Sequence, residues 1–508
     1  MFCSVRWRNK FTSLLFTLVP LRSTSNLPSS EALLVYTQRS RKGLPTSGNL
    51  RLRYNDHQIR SMRCHLTSLS AIDTELYSDL AQNIRESYKE KETDGILELA
   101  VSSSMMIDSK LDVEDTLIPA ILEASRGSKG VAASIMNALI GSCCFLTTSK
   151  GKVQNALVGG ENLSLISSRI LKLMEALEET GDILPDVVTY SLANRALSAD
   201  PDCRILADTF LEEAERKSKK IAGGKRRKLL ASARRQKVST FVNAEDNLKE
   251  ILGEDFKVLM ETDDFAVVSK PSGIPCFHKK KTTAGKITKG KGKKKKKTNK
   301  SADSLKSSDI SLEDALMSCN VNLSTLNPDA LGLVHRLDRG SSGILVLAKT
   351  NAMHAHLISE FFLRRTTKKY VALLRESLAS SIPEGGCGLI DNPVNKRPAK
   401  SRYSLLERYQ SSSDDECEEN AMLVEFEIFT GRKHQIRVHA ADILGSPVWG
   451  DPLYGDNNDT GNCNETSSDS SKRIFLHACH LTIPQLGIDV ESQLPGWWQS
   501  RLSTFKSM

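Results

Sequence analysis

Three short segments carry side chains able to do chemistry together. In residues 331–343, Asp338 stands between Arg336 and Arg339, with Ser341, Ser342 and Gly343 just beyond and the apolar run 344–348 after them. Nearby cations hold a carboxylate ionised even where it is partly desolvated, which is the condition for a nucleophilic Asp. The competing reading is an Asp that satisfies turn amides beside Ser341 and Ser342. In residues 368–374 a single phenol, Tyr370, follows Lys368 and Lys369; it is either an aromatic platform or a half-buried packing residue. In residues 430–439, Arg432, Lys433, His434 and Arg437 cluster, with Lys433 and Arg437 four apart on one helical face. Cations at a helix start oppose the helix dipole, so an anion belongs there, either a phosphate or a carboxylate such as Asp338.

Two other chemistries fail on spacing. His434, His439, His477 and His480 form neither an HExxH pair nor a Cys/His frame, so no metal is expected. Residues 285–292 have the spacing of a Walker A loop, but Gly292 stands where a Ser or Thr must bind Mg²⁺.

These residues need elements to hold them. From Phe256 onward, short strands, turns and two helices predict an α+β domain. Residues 263–273 read as a strand between turns, and 344–348 as a buried strand. A helix is expected over about 351–365, then a strand carrying Tyr370, an alternating strand over 423–429, and a helix from the 430–434 turn that stops at Leu444-Gly445-Ser446-Pro447. Polar insertions at 411–420 and 456–471 read as surface loops.

Residues 72–220 read as all-helical, with Ile170, Leu171, Met174 and Leu177 at helical spacing and Gly141, Gly181, Pro185 and Pro201 as punctuation. The stretch from Ile170 to Glu215 resembles one pentatricopeptide repeat, a helical hairpin that reads single-stranded RNA. Leu192 occupies the position that would face a base and offers no hydrogen bond.

The 508 residues carry 70 Lys+Arg against 61 Asp+Glu, a net charge of +9. Eleven basic residues lie in 1–65, eleven in 216–237 and twelve in 279–300; the rest of the chain is acidic, at −23. Residues 1–65 are Arg- and Ser-rich and suit a mitochondrial or plastid transit peptide, against a secretory signal or a disordered tail. A nuclear or nucleolar address in the lysine run is the alternative. Residues 221–250 read as a basic linker and 279–308 as a disordered Lys-rich insertion in a domain over 251–500. Eleven cysteines without a CxxC argue against a disulfide framework, and no apolar run approaches the ~20 residues of a membrane span.

Six segments between residues 256 and 490 closely resemble, in order, the motifs of the RluA-type RNA pseudouridine synthases. They are Phe265 to Gly273, His335-Arg336-Leu337-Asp338 with Ser341-Ser342-Gly343, Lys368 to Leu373, Thr430 to His439, Gly450-Asp451-Pro452-Leu453-Tyr454-Gly455, and Arg473 to Leu481. Ser341 replaces the usual Thr and Ser269 the usual Asn, and no segment resembles the S4 domain many members carry. The resemblance implies a pseudouridine-synthase catalytic domain with a mixed, mainly antiparallel sheet and a central cleft, preceded here by the all-α region. It implies isomerisation of uridine in rRNA or tRNA by a monomer, without metal, cofactor or membrane. Asp338 would attack C1′ of the ribose or C6 of the uracil, Tyr370 would stack on the base, and Arg437 would pair with Asp338. Arg336 would fill the gap left by the flipped uridine, with Arg339, Arg432, Lys433, His434 and Lys369 around the RNA. The other class left open is an inactive RNA-binding or ribosome-assembly factor that retains the fold.

Overall fold

The computed structural model describes residues 128–148, 160–221, 239–278, 310–376, 386–411, 420–455 and 473–507, with a few single residues besides. The 1–65 segment, the helical expectation before residue 118, the start of the linker and the Lys-rich insertion lie outside the described residues.

Among the described residues the helical region comprises α1 (Lys129–Thr148), α2 (Gly160–Thr180), α3 (Val187–Leu197) and α4 (Arg204–Ile221). Asp186 caps α3 by accepting from the Thr189 amide, and the Thr189 hydroxyl accepts from the Asp186 amide in return. Next comes α5 (Phe241–Leu252), inside the stretch read as a linker; Thr240 caps it, and Phe241, Ala244, Leu248 and Leu252 recur at helical spacing on its buried face.

The remainder is one ten-stranded sheet with helices laid on it. Its elements run β1 (Lys257–Glu261), β2 (Phe265–Lys270), α6 (Leu312–Ser318), β3 (Ser342–Ala348), α7 (Asn351–Phe362), β4 (Thr367–Arg375), β5 (Cys387–Asp391), β6 (Lys400–Ser411), β7 (Ala421–Ile428), α8 (Gln435–Val438), β8 (Leu476–Ile483), β9 (Ile488–Glu491), α9 (Gly496–Leu502) and β10 (Phe505–Ser507). The order across the sheet is β1-β2-β3-β8-β4-β7-β6-β10, with β5 against β6 and β9 against β8. Only β3 and β8 pair in parallel, so the sheet is mixed and mainly antiparallel, as expected.

β2 and β3 are buried on both faces, which their unbroken apolar runs require. Ala266, Val268, Leu345 and Leu347 face one core; Phe265, Val267, Ile344 and Val346 face the other. The first core also holds Tyr370, Ile436 and Ala440, so the site residues share a sheet face.

Gly343 sits at the parallel crossing, opposite Ala478 and at φ +111°, where an added Cβ would lie 2.6 Å from the Ala478 nitrogen. Both the left-handed φ and the close approach demand glycine. Gly343→Ala is expected to lower stability by about 3 kcal/mol; a urea midpoint matching wild type would show that the two strands can part there.

α7 is shared between two cores. Leu357 packs into the sheet's core, while Ala355 and Leu363 belong to the core of the helical region. The helix and the turn after it are fastened to the helical region by Ser359 Oγ donating to the Ser191 carbonyl at 3.3 Å, and by Arg365 donating to Thr148 Oγ1 at 2.8 Å. Phe362 packs against Gly141, where a Cβ would approach its ring to 2.7 Å. Leu192 is fully buried in this same core. That corrects any reading in which it faces a base: the hairpin is covered by α7 of the catalytic region.

Candidate active site

The loop before β3 is pinned from several sides. The amide of Gly273 donates to the Arg339 carbonyl at 2.8 Å, and Ser272 Oγ donates to the Gly340 carbonyl. The Cys276 thiol meets both the amide and the carbonyl of Leu337 at 3.4 Å. His335 Nε2 accepts from the Val346 amide at 3.1 Å, and its ring stacks on Phe361 with centroids 4.7 Å apart. Burial, aided by the Lys368 charge, pushes the His335 pKa down to about 3. His335 is therefore a neutral brace that joins the loop to β3 and α7.

So held, the loop leaves Asp338 partly accessible, with its side chain 15% exposed. Arg437 Nη1 lies 3.6 Å from one carboxylate oxygen and His434 Nε2 lies 3.7 Å from the other. Among the described residues, no backbone amide donates to that carboxylate. The alternative of an Asp satisfying its own turn thus loses its basis. Only the backbone carbonyl of Asp338 serves the turn, accepting from the Ser341 amide at 3.2 Å.

Arg437 departs from the expected pairing. Its fork goes to Asp451, with Nε at 2.5 Å and Nη2 at 2.6 Å from the two carboxylate oxygens. Both residues are buried, at 3% and 2% exposure. Burial disfavours the charge on Arg437, but hydrogen bonds to Asp451 and the charges of Asp451 and Asp338 outweigh it and raise the pKa. Asp451 thus aims the guanidinium and leaves Nη1 for Asp338. Its Oδ1 also caps the amides of Leu453 and Tyr454, at 2.9 and 3.2 Å. Tyr454 in turn lies under Arg437, 5.1 Å from ring centre to guanidinium carbon, and its hydroxyl meets His434 Nδ1 at 3.1 Å. Sequence reasoning gave roles to neither Asp451 nor Tyr454; the signal was the Gly450 to Gly455 turn.

The other residues divide clearly. Tyr370 on β4 is buried, and burial followed by the Asp338 charge raises its pKa, so the phenol stays protonated. His434 occupies a left-handed conformation, φ 60°, at the start of α8, and burial lowers its pKa against the pull of Asp338. The helix expected after this turn is α8 with one π turn, His439–Ile443. Arg336 and Lys433 are exposed, Arg336 lying 5.8 Å from the Phe277 ring centre. Exposed Arg339 donates to the Gly273 carbonyl at 2.9 Å and half-buried Arg432 to the Pro398 carbonyl at 2.8 Å. Lys369 is drawn away to Glu425, at 3.1 Å. Lys368 lies instead over Phe361, the ring that stacks on His335, with Nζ 5.5 Å from the Phe361 ring centre. A further cation was missed: Lys270 is fully buried and donates to the Pro271 and Ile274 carbonyls at 2.7 and 2.8 Å. Burial pushes its pKa down to about 8, against the opposing influence of Cys276 and Asp338.

The arrangement is an accessible carboxylate backed by an oriented guanidinium, beside a protonated phenol and a rim of cations. It can deliver an oxygen nucleophile to an electrophilic carbon and hold an anionic chain around it. Among the described residues, no group of three or more His, Cys, Asp or Glu side chains is placed to hold a metal ion. No helix there is long and apolar enough to cross a membrane.

A family model described as RNA pseudouridylate synthase matches residues 264–442. A Zymomonas mobilis protein described as an uncharacterized RNA pseudouridine synthase is 34% identical over 182 residues, which cover 32% of this chain and 73% of that one. The ribosomal large subunit pseudouridine synthase C of Vibrio parahaemolyticus is 32% identical over 190 residues, covering 35% of this chain and 56% of that one. An uncharacterized RNA pseudouridine synthase of Aquifex aeolicus is 30% identical over 213 residues, covering 39% and 55%. The chain therefore spans little more than half the length of the last two.

Proposed function

We propose that this chain, which belongs to the RluA-type RNA pseudouridine synthases, isomerises uridine to pseudouridine in a structured organellar RNA, an rRNA or a tRNA, with Asp338 as nucleophile. The observation that carries this reading is the Asp338 carboxylate itself: it is partly exposed, with Arg437 Nη1 at 3.6 Å, and no described backbone amide occupies it.

The residues fit the steps of such an isomerisation. Asp338 attacks C1′ or C6 and the N1–C1′ bond breaks. The freed uracil turns within the site and C5 bonds to C1′. The Asp338 oxygen–carbon bond breaks, by displacement from C1′ or elimination from C6, and returns the carboxylate. C5 loses its proton and N1 ends protonated, so the atoms balance without a co-reactant. Arg437 sets a positive charge 3.6 Å from the Asp338 carboxylate and orients it. Tyr370, protonated and buried, is a stacking platform for the turning base and a poor resting base, because burial disfavours its phenolate. Arg336, exposed beside the loop, can enter the duplex position vacated by the flipped base.

The test is a map of pseudouridines in organellar RNA with and without the gene, followed by rescue with wild type or Asp338→Asn. At least one site should vanish and return only with wild type; if no site vanishes, the proposal falls. The organellar assignment rests on the Arg- and Ser-rich, acid-poor residues 1–65. Fused to a fluorescent protein, they should carry it into mitochondria or plastids; a passenger left in the cytosol or nucleus would remove it.

A further inference from the structure

Between the helical region and the catalytic region lies a cavity of about 340 Å³, walled by Val187 and Val188 at the start of α3 and by Ile358, Phe361 and Phe362 of α7. We propose that it is a second RNA-binding subsite, which takes an unpaired base of the substrate adjoining the target uridine. The inference rests on the reading of the chain as an RNA-modifying enzyme and adds a contact that the helical region helps to build.

Three observations point to a base as the occupant. First, the cavity joins the active site through one ring: Phe361 lines it, stacks on His335, and has Lys368 Nζ 5.5 Å from its centre. His335 belongs to the loop that carries Asp338 three residues on, so the cavity wall and the catalytic loop meet at this ring. Second, the walls suit a flat heteroaromatic group. Aromatic and aliphatic surface supplies stacking, and Asn327 supplies an amide. Its Oδ1 accepts from the Asp329 amide, and its NH₂ has no partner among the described residues, which leaves a donor for a base edge. Third, Arg364 lines the cavity and Lys368 flanks Phe361, so positive charge lies where a phosphodiester would run. His354, also in the lining, is held neutral, with burial pushing its pKa down to about 4. Arg364 adopts φ 58°, an uncommon conformation for a side chain of its size, at the turn that follows α7.

The test uses the full chain and a short single-stranded RNA carrying 4-thiouridine. Near-ultraviolet cross-linking should mark the peptide containing Phe361 and Phe362 or the one containing Val187 and Val188. Val188→Trp fills the cavity; Asn327→Asp keeps the acceptor for Asp329 but puts an anion where the donor stood. Each should weaken binding of that RNA about tenfold by fluorescence anisotropy, as the loss of one stacked base would, with melting temperatures unchanged for Asn327→Asp even if Val188→Trp disturbs packing. Binding within twofold of wild type for Asn327→Asp, or cross-links confined to other peptides, overturns the subsite. A cavity that takes an apolar peptide instead would give the same negative result. Should the wild-type chain isomerise no uridine while both variants still weaken RNA binding, the functional reading fails and the subsite stands.

Discussion

Asp338→Asn is expected to abolish isomerisation, lowering the rate on the order of 10⁴-fold or more, with folding and RNA affinity close to wild type. The substitution changes one oxygen to nitrogen at a side chain that no described backbone amide holds, so little of the fold depends on it. Its neighbours Arg437 and His434, at 3.6 and 3.7 Å, keep their positions because their closer partners are Asp451 and Tyr454. What disappears is the negative oxygen able to form a covalent bond to carbon. A single-turnover assay of tritium release from 5-tritiated uridine in RNA reads this step directly. Appreciable turnover in the variant would assign the nucleophile elsewhere and leave Asp338 as an electrostatic partner of Arg437.

Arg437→Lys is expected to lower kcat about a hundredfold, with a smaller effect on KM, and to destabilise the protein by about 3 kcal/mol. An ammonium retains the charge but cannot hold both Asp451 oxygens and still present a third donor to Asp338. The buried Asp451 carboxylate would be left half-paired, and Asp338 would lose its fixed cation. Asp451→Ala should be comparably destabilising, because it strands the buried guanidinium. Urea denaturation measures the stability change and steady-state kinetics the rate. A normal kcat with a raised KM in Arg437→Lys would instead assign Arg437 to phosphate binding.

Much of this was legible in the sequence where the signal is local. Asp338 among arginines, the turn-to-helix segment 430–439 and the doubly buried run at β3 all declare themselves by residue type and period, and the structure brings them to one face of one sheet. What escaped is set by distance along the chain or by the face of an element on which a residue emerges. Asp451 lies fourteen residues beyond Arg437, and nothing in the spacing alone says that it, rather than Asp338, takes the guanidinium fork. Lys369 lies on the face of β4 that carries Val371 and Leu373, where it meets Glu425, whereas Lys368 shares the face of Tyr370, Ala372 and Leu374. Two adjacent lysines straddle the strand, and only the register against β7 and β8 says which face is which. Lys270 reads as a strand-end cation, normally solvated; its burial depends on the Pro271 and Ile274 carbonyls folding back over it. The helical region was recognisable as helical, but no periodicity reveals that its apolar face is completed by a helix from the catalytic half.

That shared helix imposes an order of events on a chain that emerges N-terminus first, whether from a ribosome or through a membrane pore. The helices α1 to α4 are available once Ile221 has appeared, yet Ala355 and Leu363, which belong to their core, follow only after about 130 further residues. At typical synthesis speeds that interval is on the order of ten seconds. Through it the face around Leu192, Ala193 and Phe145 has no native cover and must be shielded by a transient partner or by fluctuating local contacts. The last piece of the first-made core is thus delivered by the enzyme's own catalytic half, and the two halves reach their final packing in a single late step.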